Sequence, residues 1–218
     1  MAVLDDKTKS EIKEMLKELK NDVNIVFFEK DDCQFCQPID EIYTDLSNLN
    51  EHVKYAKFHI VKDAEKAKEF GADEAPITFI KGKNKGKVVY YGIPSGYEFA
   101  SLLEDIKMAD SGDAKASESM KKLAEKLDSS GTKLRLQVFV TPTCPYCPRS
   151  VLFAHRLAFL SENVSGEMVE ATEFMELSNK FQVSGVPKTV INDGKGEYVG
   201  AYPDDAAVEE IKKALNID

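Results

Sequence analysis

Two Cys-x-x-Cys pairs, Cys33-Gln34-Phe35-Cys36 and Cys144-Pro145-Tyr146-Cys147, hold all four cysteines of the 218-residue chain, and the second pair lies 111 residues after the first. The same offset carries Ile12 onto Leu123, Leu16 onto Leu127, Phe28 onto Phe139, Phe70 onto Phe181, Pro76 onto Pro187 and Thr78 onto Thr189. A single register that holds from the first helical pattern to the late strands marks a duplication. Two like units are therefore expected, each long enough to bury a core of its own.

Each half reads as one series of elements. Thr8 and Glu11 form a capping-box pattern ahead of Ile12, Met15, Leu16 and Leu19, and Met120, Leu123, Ala124 and Leu127 repeat the helical spacing in the second half. Apolar runs at 24–28 and 136–140 suit strands buried on both faces, and each leads into a cysteine pair. Helical stripes follow, Ile39, Ile42, Tyr43 and Leu46 in one half and Val151, Leu152, His155 and Phe159 in the other. Second strands are expected at 53–60 and 167–171, and short helices at 63–70 and 173–181. Each half then closes with a hairpin, turning at 81–87 or 192–196, and a last helix. The stretch 108–114 is polar and without periodicity, which places the boundary there and gives units 1–112 and 113–218. The connection is short, so the units should pack rigidly, with pairing of their sheet edges open to them and both cysteine sites accessible.

Spacing and placement together give the cysteines a chemistry. At a helix N-terminus, unpaired N–H groups favour an anion, so Cys33 and Cys144 should carry depressed thiol pKa values and act as nucleophiles. Cys36 and Cys147 lie one turn on, placed to attack a mixed disulfide formed on their neighbours and expel the partner as a thiol. Ala75-Pro76 and Val186-Pro187 each follow the first cysteine of their half by the same interval and precede a strand. Proline donates no ladder hydrogen bond, so both positions suggest a strand start with a cis bond, leaving Ala75 and Val186 free to pair with an extended substrate.

These motifs resemble the thioredoxin superfamily, and most closely the protein disulfide oxidoreductases of hyperthermophiles, which are glutaredoxin-like proteins of two fused thioredoxin-fold units. Cys144-Pro145-Tyr146-Cys147 is similar to the glutaredoxin active-site sequence, and Val186-Pro187 to the family's cis-proline site. The resemblance covers essentially the whole chain. It implies an α/β fold of two tandem units with mixed central sheets flanked by helices. It also implies thiol–disulfide exchange at Cys33, Cys36, Cys144 and Cys147, with substrate held at Ala75, Pro76, Val186 and Pro187. Thioredoxins place a buried carboxylate six residues before the first cysteine. Phe27 and Val138 stand there in this chain, with Glu29 the stand-in in the first half.

The same residues bear on other readings. Four cysteinates can hold a structural zinc, but the long separation of the pairs and their strand–helix setting argue against it, and His52, His59 and His155 share no ligand spacing with them. No metal and no cofactor is assigned. A peptide-binding chaperone on the same fold is the non-enzymatic alternative. No Gly-rich nucleotide loop follows a strand, so electrons must come from a reductase or a low-molecular-weight thiol, with protein disulfides as substrates. The net charge of −9 argues against nucleic acid and anionic membrane. The Lys-rich turn at 81–87 reads as solvated.

The charged segment after Met1 has no apolar core of a secretory signal, which points to the cytoplasm. Only Arg135, Arg149 and Arg156 of the 29 basic residues are arginine, and lysine plus glutamate enrichment resembles hyperthermophile proteins. Asp31 and Asp32 precede Cys33 whereas Thr143 precedes Cys144 and Arg149 follows it, so Cys144 is expected to be the more acidic thiol.

Overall fold

The apolar run at 24–28 folds as part of strand β1 (Val23–Glu29), whose side chains alternate between two cores. Ile25 and Phe27 enter one, Val26 and Phe28 the other. A strand covered on both faces has no solvent side to keep polar, hence the unbroken apolar run. β5 (Leu134–Val140) repeats the arrangement, with Leu136, Val138 and Val140 in the first core and Phe139 in the second. Phe27, Phe28 and Phe139 are fully enclosed, and each such burial contributes roughly 1.5–3 kcal/mol.

The computed structural model describes residues 4–217; Met1, Ala2 and Val3, which open the segment read for a leader, and Asp218 lie outside the described residues. Around β1 the first half runs α1 (Asp6–Leu16), α2 (Cys36–Leu49), β2 (Val53–His59), α3 (Ala64–Phe70), β3 (Ile77–Lys81), β4 (Lys87–Tyr91) and α4 (Glu98–Ser111). The second has α5 (Glu118–Ser130) before β5, then α6 (Cys147–Leu160), β6 (Val164–Glu170), α7 (Met175–Lys180), β7 (Lys188–Ile191), β8 (Gly196–Val199) and α8 (Asp204–Leu215).

The eight strands among the described residues make one mixed sheet in the order β2-β1-β3-β4-β6-β5-β7-β8. The halves meet where β4 pairs in parallel with β6, from Lys87 opposite Ser165 to Tyr91 opposite Val169. Each half thus covers an open edge of the other. α1, α2, α4, α5, α6 and α8 pack on one face, and α3 and α7 on the opposite face. Because β3 is antiparallel to both β1 and β4, strands β1, β4, β6 and β5 all point the same way. Their C-terminal ends share one edge of the molecule.

Several local expectations are corrected. Asp5, not Thr8, caps α1: its carboxylate accepts the Thr8 N–H at 2.7 Å, and Thr8 is already inside the first turn. The polar stretch at 108–114 is helical through Ser111, because Asp110 is polar for a reason other than solvation. It accepts the backbone N–H groups of Lys20 at 2.8 Å and Asn21 at 2.7 Å, closing the exit from α1. β6 starts three residues before the expected 167, the apolar signal being interrupted by Ser165 and Gly166. The turn at 81–87 is not simply solvated. Lys83 N–H donates to Ala109 O at 2.9 Å and Gly86 N–H to Ala158 O at 2.8 Å, and a Cβ at Gly86 would stand 2.2 Å from Val164 O. The hairpin backbone is wedged between the halves, and only glycine fits there.

Candidate active site

The strand directions put both cysteine pairs at one edge, Cys33 after the end of β1 and Cys144 after the end of β5. Both pairs are disulfide-bonded, with Cα–Cα distances of 5.4 Å for Cys33–Cys36 and 5.5 Å for Cys144–Cys147. Cys36 and Cys147 are the first residues of α2 and α6, so each disulfide sits at the positive end of a long helix. β1 and β5 are four strand spacings apart, about 19 Å at about 4.8 Å each. One zinc bound by all four sulfurs is therefore incompatible with this sheet.

Both X-Pro bonds, Ala75-Pro76 and Val186-Pro187, are cis. β3 lies beside β1 with Ile77 opposite Phe28, and β7 beside β5 with Lys188 opposite Phe139, so each proline reaches the edge that carries the cysteines. Pro76 O accepts Gly92 N–H at 3.0 Å and Pro187 O accepts Gly200 N–H at 2.8 Å. Among the described residues the backbones of Ala75 and Val186 make no hydrogen bond.

Around these shared parts the two sites differ. Cys33 is half-buried and lines an open cavity of about 680 Å³ with Cys36, Glu29, Asp40 and Lys57. Lys57 Nζ stands 2.8 Å from Asp40 and 3.5 Å from Glu29, and the Tyr55 hydroxyl donates to Asp40 at 2.6 Å. Burial would raise the Asp40 carboxyl, but the hydrogen bonds from Lys57 and Tyr55 hold it below its ordinary value. The residues 111 positions on from Glu29, Asp40 and Lys57 are Val140, Val151 and Met168, all buried and apolar. Cys144 is only 8% exposed, which corrects the expectation that both sites lie open. The loop before α4 presses on the segment before Cys144: Tyr97 N–H donates to Pro142 O at 3.1 Å, and a Cβ at Gly96 would stand 2.1 Å from that oxygen. Asp31, expected as a free charge beside Cys33, is tied to Lys62 at 3.2 Å and lies 3.3 Å from His59; the Lys62 hydrogen bond holds its carboxyl below the ordinary value.

One polar group escapes a reading of the sequence. Asp105 accepts from the Tyr90 hydroxyl and lies 2.6 Å from His155 Nδ1, all three fully buried between α4, β4 and α6. His155 thus does more than fill a helix face. Glu98 and Ser101 are buried on the same side of α4, with Ser101 Oγ donating to Glu98 at 2.7 Å. A signal exists in the pattern: Glu98, Ser101 and Asp105 fall at helical spacing on the stripe that also carries Leu102, Ile106 and Ala109.

Comparison with known proteins agrees with this geometry. Residues 134–213 match the thioredoxin domain family. A thioredoxin of Methanocaldococcus jannaschii is 32% identical over 85 residues, which are 38% of this chain and 99% of that protein. One component of the alkyl hydroperoxide reductase of Staphylococcus aureus is 22% identical over 184 residues; the match takes in 84% of this chain but spans only 33% of that protein's length. The crystal structure of a protein disulfide oxidoreductase from Aeropyrum pernix K1 superimposes with a TM-score of 0.87 at 23% identity, covering 98% of this chain and 94% of that one. With two disulfide-bonded Cys-x-x-Cys pairs at helix N-termini, this chain belongs to the thioredoxin family and is a thiol–disulfide oxidoreductase of two tandem thioredoxin-fold units.

Proposed function

We propose that the chain exchanges disulfides with protein substrates at both pairs, one in unit 1–112 and one in unit 113–218. Cys33 and Cys144 attack; Cys36 and Cys147 resolve. The observation that carries this reading is the repeated juxtaposition of a helix-terminal cysteine pair with a cis X-Pro whose preceding residue has unpaired backbone groups. An extended substrate would pair with Ala75 or Val186 and present its disulfide to the first cysteine.

The electron count is simple. The attacking thiolate displaces one substrate sulfur as a thiol and forms a mixed disulfide. The second cysteine then attacks the first, releasing the other substrate sulfur and leaving the enzyme disulfide present in this structure. Two electrons from a reductase or a low-molecular-weight thiol restore the dithiol. Similarity to part of an alkyl hydroperoxide reductase component supports a reductase as that donor. No helix among the described residues is long and apolar enough to cross a membrane. Lysine and glutamate enrichment supports a thermophile's cytoplasm, where protein disulfides persist and such an enzyme would serve redox homeostasis.

The test is the reduction of insulin disulfides by dithiothreitol. The protein should accelerate it, Cys147→Ser should accumulate mixed disulfides, and full activity in a Cys33→Ser/Cys144→Ser variant would refute the assignment.

A further inference from the structure

The two copies of the site offer a client unlike surroundings. Within five residues of Cys33 stand Glu29, Lys30, Asp31 and Asp32, whereas within five of Cys144 the one charge is Arg149. Asp73 and Glu74 precede Ala75, and 111 positions on the residues are Ser184 and Gly185. We propose that the two pairs divide clients by charge, the first taking cysteines flanked by lysine or arginine and the second those flanked by apolar or aromatic residues. The proposal rests on the reading of Cys33 and Cys144 as attacking thiols, and of Ala75 and Val186 as the backbone that holds an extended client.

Contacts across the seam gather acidic side chains on the flank of the first site. Tyr91 donates to Asp73 at 2.7 Å and packs edge-on against Phe174 of the second half, with ring centroids 5.6 Å apart. Glu176 follows two residues later, in the first turn of α7. Burial pushes the Glu74 carboxyl up, Lys30 pulls it down, and Asp73 and Glu176 push it up again, so all three charges act on the residue next to Ala75. Asp31, Asp40 and Asp73 are already met by Lys62, Lys57 and Arg135. Asp32, Glu74 and Glu176 are exposed, and among the described residues their carboxylates make no ion pair or hydrogen bond. Three such carboxylates against Lys30 leave this flank negative, and a lysine or arginine beside the client's cysteine supplies the cation it lacks.

The second site is bordered differently. Tyr146, between the cysteines, is 70% exposed, whereas its counterpart Phe35 packs against the core. Beyond Val186 the sheet ends at β8, whose Val199 is 53% exposed and would lie 3.8 Å from a Cβ on Gly185. Tyr202 stacks on Tyr198 with centroids 4.7 Å apart, just after Gly200, whose N–H donates to Pro187 O. In the first half the same place is closed by the pairing of β4 with β6: Tyr91 and Pro94, 108 positions before Val199 and Tyr202, are both buried. An aromatic or aliphatic client residue laid on Tyr146 and Val199 removes apolar surface of both from water.

The test uses each pair alone, in Cys144→Ser/Cys147→Ser and Cys33→Ser/Cys36→Ser proteins, fully reduced. The probes are synthetic peptides of equal length, each a symmetric disulfide through a central cysteine flanked by lysine, glutamate, serine or phenylalanine. The enzyme dithiol is oxidised to its disulfide and the peptide leaves as two thiols. Quenched-flow alkylation gives the second-order rate, which is divided by the same peptide's rate with dithiothreitol to remove intrinsic reactivity. At low ionic strength the first pair should react about 10-fold faster with the lysine than with the serine peptide, falling to about twofold in about 0.5 M salt. The second pair should discriminate less than about twofold by charge and favour the phenylalanine over the serine peptide by about 10-fold. Glu74→Lys/Glu176→Lys should turn the first pair toward the glutamate peptide, a reversal that damage to the fold does not produce. Equal preferences at both pairs, or a lysine preference that survives Glu74→Lys/Glu176→Lys, overturn the proposal alone. No reaction of the Cys144→Ser/Cys147→Ser protein with any of the peptides sinks the reading of Cys33 as an exchanging thiol, and the proposal with it.

Discussion

Replacing Glu98 by glutamine should stabilise the protein, and only above acidic pH. Burial raises the Glu98 carboxyl from 4.5 in the unfolded chain to about 7 in the folded protein. Below pH 4.5 it is protonated in both states and contributes no pH-dependent difference. Between pH 4.5 and 7 the unfolded chain releases its proton first, so folded stability falls as pH rises. Above pH 7 the loss is complete, and a shift of about 2.5 units at 1.36 kcal/mol each comes to about 3 kcal/mol. With 1% of the residue exposed, solvent screening takes little from that figure. Glutamine resembles the protonated acid and does not ionise. Urea unfolding of the oxidised protein at pH 4.5 and pH 8 should show the two proteins nearly equal at the lower pH and Glu98→Gln more stable by about 3 kcal/mol at the higher. Glu173, also pushed up to about 7 by burial, titrates in both proteins and cancels. A difference independent of pH, or a wild type more stable at pH 8, would show that Glu98 ionises without penalty and refute the reasoning.

Three other outcomes are expected. Alkylation against pH in the single variants Cys33→Ser and Cys144→Ser should order Cys144 as the more acidic thiol, by less than one unit because Lys62 offsets Asp31. Lys62→Gln, freeing that charge at about 7 Å, should raise the Cys33 value by about 0.4 unit at low salt and leave it unchanged at 1 M. Asp105→Ala strands the buried Tyr90 hydroxyl and His155 ring, and urea unfolding should show a loss of about 3–5 kcal/mol; a loss below 1 kcal/mol contradicts the pairing. Gly86→Ala forces a methyl group onto Val164 O and should cost about 1–3 kcal/mol in thermal or urea unfolding, with no cost if the hairpin is as free as its lysines suggest.

The parts legible in the sequence were those whose physics is local or repeated. A cysteine pair between an apolar run and a helical stripe, and a proline at the head of a strand, declare themselves twice in this chain, and the strands and helices follow the same 111-residue offset. What escaped depended on residues distant in the chain, in the same half or the other. Asp110 looks like linker until Lys20 and Asn21 are seen donating to it, and Glu98 and Asp105 look like solvated helix residues until α6 covers them. The loop before α4 that meets Pro142, two residues before Cys144, was equally hidden. A duplication announces what the two copies share; their differences are made by residues that have no reason to match, some of them at the seam.

The ladder between β4 and β6 also fixes how one substrate chain meets both sites. The strands that lead into the two sulfur pairs are held four strand spacings apart, about 19 Å, by a continuous run of backbone hydrogen bonds, with no tether to lengthen or slacken. An extended polypeptide covers that distance in about six residues. Cysteines closer together than this in a client must visit the two sites in turn. A client whose cysteines are further apart can be gripped at both, and its second encounter is then set by the reach of its own intervening loop, as in any two-point attachment to a rigid ruler.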